Sequence, residues 1–267
     1  MKPFLLPLAA LLLAPFTTLY AAGRLILPGT ENFTVAGRPA FVFLPPEALR
    51  TQPQPWIFYA PTLAEIPDAA ERWMHEQFLA AGIAVAGVDV GEAYGSPQSH
   101  ATFDALYREL TARRGFAAKP CLLGRSRGGL WVSSWAIANP ARIAGLAGIY
   151  PVFDLRSYPK LDQAAPAYGL TPEALAERNA ELNPVERIGV LARAGVPAFL
   201  IHGDKDTAVP LAENSAEFAR HYREAGAEAL VRLIVLEGQG HNLFEGFFRS
   251  QELVDFVIAR AKAGARP

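Results

Sequence analysis

The chain of 267 residues is 51% hydrophobic and carries 25 basic against 26 acidic side chains, so it can bury a sizeable core and is too apolar to remain disordered. A net charge of −1, with no block of like charges, offers little to a phosphate backbone or an anionic bilayer, and no nucleic-acid partner is expected. The lone Cys121 cannot form an internal disulfide, and His75, His100, His202, His221 and His241 lack H-x-x-x-H or Cys/His spacing, so no metal site is expected either.

At the N-terminus, Lys2 precedes the apolar run 4–14, then Pro15 and Ala21-Ala22-Gly23, the three-part layout of a secretory signal. A spanning helix needs roughly 20 apolar residues, whereas Pro3, Pro7 and Pro15 interrupt this run, so no stable membrane insertion is expected once the signal is cleaved. Cleavage after Ala21 or Ala22 puts Leu19 or Tyr20 where a small residue is customary. The expectation is a signal peptide over 1–22, a folded unit over 23–267, and a secreted or periplasmic protein.

Next come segments 24–27 and 33–44, broken by Gly29 and Gly37, which read as hairpins forming an antiparallel edge. Strands are expected at 40–44, 56–60, 83–90, 121–123, 144–150, 198–202 and 230–236. Most are continuous apolar runs, as in strands covered on both faces. Helical stretches lie between them, near 69–81, 102–114, 128–138, 211–225 and 251–262. The alternation predicts an α/β fold with a mostly parallel, doubly wound sheet. The longest connection, 151–184, carries its own helix start at Thr171-Pro172-Glu173 and reads as a small helical cap insertion over one end of the sheet.

The chemistry concentrates where the strand Pro120-Cys121-Leu122-Leu123 runs into Gly124-Arg125-Ser126-Arg127-Gly128-Gly129 and then a helix. In such a strand, turn and helix, Gly124 and Gly128 let the two elements approach, and Ser126 is forced into a strained turn that exposes its hydroxyl. The G-x-S-x-G pattern alone also fits a serine that merely caps the helix.

With this context the chain resembles the α/β-hydrolase superfamily over nearly its whole mature length. The resemblance implies the order Ser, acid, His. Its acid pattern falls on His202-Gly203-Asp204-Lys205-Asp206, which gives Asp206, with Asp204 as the rival. Its base falls in the loop after the last strand, Glu237-Gly238-Gln239-Gly240-His241-Asn242, which gives His241. An alcohol is a poor nucleophile near neutrality, so an imidazole must take its proton and a carboxylate must orient that imidazole. The resemblance also implies an oxyanion site from the amide of Arg127 and one after the strand 56–60, Thr62 or else Leu63, since Pro61 has no N–H.

The Ser126-Arg127 pair is similar to that of glucuronoyl esterases, where the arginine helps hold an oxyanion or acidic sugar, although Leu130 replaces the lysine that follows there. Arg125 and Arg127 equally fit ion pairs with loop carboxylates. Glu92, Tyr94 and Tyr158, with Arg125, are the candidate substrate-binding side chains, suited to a hydroxylated substrate. The expected function is hydrolysis of small acyl or carbohydrate-linked esters through an acyl-enzyme, without cofactor. A prolyl-oligopeptidase-like peptidase, a dienelactone-hydrolase relative, whose nucleophile is usually Cys, and a non-catalytic binding module are the alternatives.

Overall fold

The computed structural model describes residues 24–266, so the expected signal segment lies outside the described residues. Eight strands form one sheet in the order β1-β2-β4-β3-β5-β6-β7-β8: β1 (Thr30–Val35), β2 (Arg38–Phe43), β3 (Trp56–Ala60), β4 (Ala84–Val88), β5 (Cys121–Arg125), β6 (Gly145–Ile149), β7 (Ala198–Gly203) and β8 (Val231–Leu236). The first two strands pair antiparallel, β2 joins β4 antiparallel, and every pairing from β4 through β8 is parallel.

Local chemistry accounts for the edges. Ala36 and Gly37, both with positive φ, make the two-residue turn between β1 and β2, the arrangement whose twist matches a hairpin. The segment 24–27 is not a strand, contrary to expectation. Its polar backbone is tied instead to a loop, Arg24 N to Ala64 O at 3.2 Å and Leu25 N to Pro67 O at 2.8 Å. At the other edge, β8 is half-exposed rather than covered on both faces.

In the middle, β3 to β7 are buried throughout, and side-chain alternation feeds two cores. Trp56, Phe58 and Ala60 join one core, with α2 (His100–Arg108), α3 (Gly128–Ala138) and α9 (Ser215–Glu224). Ile57 and Tyr59 join the other, with α1 (Arg72–Ala80) and α11 (Gln251–Gly264). A π-helical turn, Glu109–Arg113, extends α2 and completes the helix expected near 102–114. A short α10 (Glu245–Phe248) precedes α11.

Between β6 and β7 the chain forms α4 (Leu161–Tyr168), α5 (Pro172–Glu177), α6 (Asn179–Leu182), α7 (Pro184–Arg187) and α8 (Gly189–Arg193). Thr171 caps α5 by accepting from Ala174 N at 3.2 Å, and Pro172 takes the first helical position. Pro184 likewise opens a helix, so the helical path runs on to Arg193. Much of it adds to the core beside α3 through Leu175, Val185, Ile188 and Leu191. Among the described residues no helix is long and apolar enough to cross a membrane.

Candidate active site

The turn from β5 into α3 places Ser126 at φ +51°, a left-handed conformation that a non-glycine residue holds only when its surroundings enforce it. The enforcement is visible in two backbone bonds, Ser126 N to Ile149 O at 2.9 Å and Val152 N to Ser126 O at 2.9 Å. Close packing does the rest. A Cβ on Gly128 would stand 2.2 Å from Ala60 O, and one on Gly124 would stand 2.7 Å from Val132 Cγ2.

Three groups far apart in the chain meet at this turn. The Ser126 hydroxyl lies 2.8 Å from His241 Nε2, and His241 Nδ1 lies 2.8 Å from Asp206 Oδ2. The other carboxylate oxygen of Asp206 accepts from the amides of Ala208 at 3.0 Å and Val209 at 2.8 Å. Burial alone would raise this carboxyl, but hydrogen bonding from His202, His241 and the Val209 amide outweighs it and holds Asp206 well below the usual carboxylate range. An ionised Asp206 fixes the proton of His241 on Nδ1 and leaves Nε2 free to accept from Ser126. Asp204 lies elsewhere. It is exposed and accepts from Gly238 N at 2.6 Å, tying down the loop that carries His241. His202 is fully buried between the Ser215 hydroxyl and Val209 O, both at 2.8 Å, with Nε2 also 3.4 Å from Asp206.

Of the expected oxyanion donors, the amide of Arg127, the residue at the N-cap position of α3, finds no acceptor among the described residues. The Leu63 amide is committed to Ile66 O at 3.2 Å, which removes it as a donor. The Thr62 amide has no acceptor among the described residues.

A pocket of about 290 Å³ opens on Ser126 and His241, lined among others by Pro61, Ile66, Tyr150, Val209 and Leu243. Arg125 borders it, yet Nε and Nη1 of its guanidinium are engaged inside the protein. Nη1 donates to Asp68 at 2.8 Å and Glu71 at 2.7 Å, Nε donates to the Tyr150 hydroxyl at 3.2 Å, and the group lies over the Phe248 ring. These bonds make an ion pair that neutralises a buried carboxylate and leave only Nη2 for the expected substrate role. Burial still raises Glu71 from its ordinary value, despite Arg125 and the Tyr59 hydroxyl, which donates at 2.7 Å.

Arg127 and Tyr158 do line the pocket. Glu92 reaches it indirectly, through a 2.6 Å ion pair with Arg127, and Tyr94 does not border it. The Tyr94 carbonyl accepts from the Tyr168 hydroxyl at 2.9 Å, while burial, Glu92 and Tyr158 raise its phenol. Sequence reasoning missed Tyr150, whose ring centroid stands 4.4 Å from that of His241. Its only sequence signal is an aromatic side chain directly after a central strand. Among the described residues, no group of three His, Cys, Asp or Glu side chains is placed to hold a metal ion.

Comparison with known proteins follows the same lines. The model of the prolyl oligopeptidase family matches residues 103–259, more than half of the chain. No curated protein matches by sequence. Est1E from Butyrivibrio proteoclasticus is similar in structure at a TM-score of 0.64 and 18% identity, covering 88% of this chain and 99% of its own. MPT51 from Mycobacterium tuberculosis is similar at 0.65 and 16%, covering 86% and 98%. A puromycin-hydrolyzing peptidase from Mycobacterium tuberculosis is similar at 0.63 and 20%, covering 84% of this chain but 39% of its own, so the chain spans well under half of that protein. The eight-stranded, mostly parallel sheet with flanking helices is the α/β-hydrolase fold that these structures share.

Proposed function

Because the chain belongs to the prolyl oligopeptidase family of serine hydrolases, we propose that it cleaves small acyl or carbohydrate-linked carboxylic esters through an acyl-enzyme on Ser126. The observation that carries this reading is the unbroken chain of 2.8 Å contacts from Ser126 through His241 to Asp206 at the mouth of a small pocket. In the first step Ser126 Oγ attacks the ester carbonyl while its proton passes to His241 Nε2. Asp206 stabilises the imidazolium that results. Negative charge on the former carbonyl oxygen is met by the Arg127 amide at the start of α3, with the Thr62 amide as second donor. His241 then gives its proton to the departing alcohol, and the same groups work in reverse on water.

The small, largely apolar pocket suits a short acyl group, while Arg127, fixed by Glu92, and Tyr158 offer polar contacts to a hydroxylated or acidic leaving group. The family match favours a second reading, amide hydrolysis by the same three groups, with the substrate a prolyl peptide. We also propose that residues 1–22 direct the chain out of the cytoplasm.

A hydrolysis panel tests both readings. Short aryl acetates, acetylated sugars, methyl uronates and prolyl amides are assayed with the native protein and with Ser126→Ala. Ester turnover that disappears in Ser126→Ala supports the first reading. Turnover of prolyl amides alone moves the assignment to the peptidase, and turnover that survives Ser126→Ala removes Ser126 as nucleophile.

A further inference from the structure

Tyr150 directly follows β6 at φ +33°, a conformation that a tyrosine adopts only when its neighbours fix it. Its amide is anchored on Ile201 O at 2.7 Å. The ring is buried, with Phe247 and Phe248 edge-on at 4.9 and 6.0 Å, and it faces the His241 ring at 4.4 Å with a tilt of 55°. Its hydroxyl accepts from Arg125 Nε, and Arg125 is itself held by Asp68, Glu71 and the Phe248 ring. The frame thus runs from two carboxylates through a cation to an aromatic ring packed at a tilt against the imidazole.

The loop carrying His241 is thinly anchored by comparison. Residues 242–245 are exposed, and the ties nearby that reach outside the loop are Gly238 N to Asp204 and Lys205 N to Gln239 O, the others, such as Asn242 N to Gly240 O and Phe244 N to Asn242 Oδ1, being local. The imidazole's two hydrogen bonds go to Ser126 and Asp206. Acylation removes the Ser126 proton and with it the hydrogen bond to Nε2. From then until water attacks, the ring is held by Asp206 and by whatever packs against its face.

We propose that Tyr150, fixed by Arg125, is a positioning residue that keeps the His241 imidazole aligned for both proton transfers, the one that acylates Ser126 and the one that frees it. The proposal rests on the serine hydrolase reading above. It assigns a role to the Arg125 network that an ion pair buried only for stability would not have.

The test is the rate at which a fluorophosphonate labels Ser126, together with kcat, KM and Tm on a short aryl acetate. In labelling, Ser126 Oγ bonds to phosphorus, fluoride leaves and His241 takes the serine proton, so the rate reads alignment of the imidazole. Loss of the aromatic contact in Tyr150→Leu should slow labelling and kcat by about two- to twelvefold at constant KM. Tyr150→Phe, which keeps the ring and loses the Arg125 bond, should fall between Tyr150→Leu and the native protein. If Tyr150→Leu does not fold, Tyr150→Met replaces it, because a flexible thioether fills the space without a rigid face. Labelling of the folded variant at the native rate would overturn the proposal, as would a fall confined to KM. If the native protein itself is not labelled at Ser126, the hydrolase reading fails and the positioning role fails with it.

Discussion

Replacing Asp206 by Asn keeps the volume and removes the charge, and the surrounding bonds dictate how the amide must sit. The amides of Ala208 and Val209 already donate to Oδ1, at 3.0 and 2.8 Å, so the Asn oxygen takes that place. Its NH2 then occupies the position 2.8 Å from His241 Nδ1 and 3.4 Å from His202 Nε2. His202 Nε2 is committed as a donor to Val209 O, so it meets the new NH2 donor to donor. At His241 the conflict is resolved by moving the proton from Nδ1 to Nε2, which removes the lone pair that must accept from Ser126. An inverted tautomer of this kind costs about 10⁴ in kcat, roughly 5 kcal/mol in the barrier. Asp204→Asn should lower kcat at most about fivefold, since that exposed side chain braces the loop and can still accept from Gly238. Steady-state hydrolysis of an aryl acetate by both variants decides the matter. A larger fall in Asp204→Asn, or an Asp206→Asn variant within about tenfold of native turnover, would refute the assignment.

Other substitutions probe the frame of the site. Both ring nitrogens of His75 are buried against Phe43, Tyr59 and Phe78 with no hydrogen-bond partner among the described residues, and burial pushes its pKa down to about 3. The stability it permits is therefore complete above about pH 6.5 and is lost as pH falls toward 3, at a cost of about 2 kcal/mol by pH 5. His75→Phe should abolish that loss in urea unfolding at pH 7 and pH 5, and an unchanged difference would contradict the linkage. Arg125→Met leaves Glu71 buried without its cation and should destabilise by about 3–5 kcal/mol in urea, whereas native stability would show the ion pair to be dispensable. Gly128→Ala forces a methyl against Ala60 O and should cost about 1–3 kcal/mol with loss of activity, and a native Tm would mean that the turn relaxes freely.

Much of the architecture is legible because central strands are short apolar runs between prolines and glycines. Trp56–Ala60, enclosed by Pro55 and Pro61, is found at its expected limits. Edges are harder to read. Residues 24–27 are apolar enough for a strand but bond to a loop some 40 residues away, and β8 is as apolar as a central strand although, among the described residues, no strand pairs with its outer side. At the site, a strained turn leaves a local signature in Gly124 and Gly128. The partners of Arg125 leave none, because Asp68 and Glu71 lie 57 and 54 residues away and meet it only once β3 and β5 are paired. Tyr150 is silent for the same reason, its meaning coming from a histidine on a distant loop.

The most direct test of the account is to capture the covalent intermediate. Native protein mixed with an aryl acetate and quenched in acid should carry one acetyl group, and peptide mapping should place it on Ser126 and remove it in Ser126→Ala. Acetyl on another side chain, or turnover with no serine adduct at any time after mixing, would contradict it.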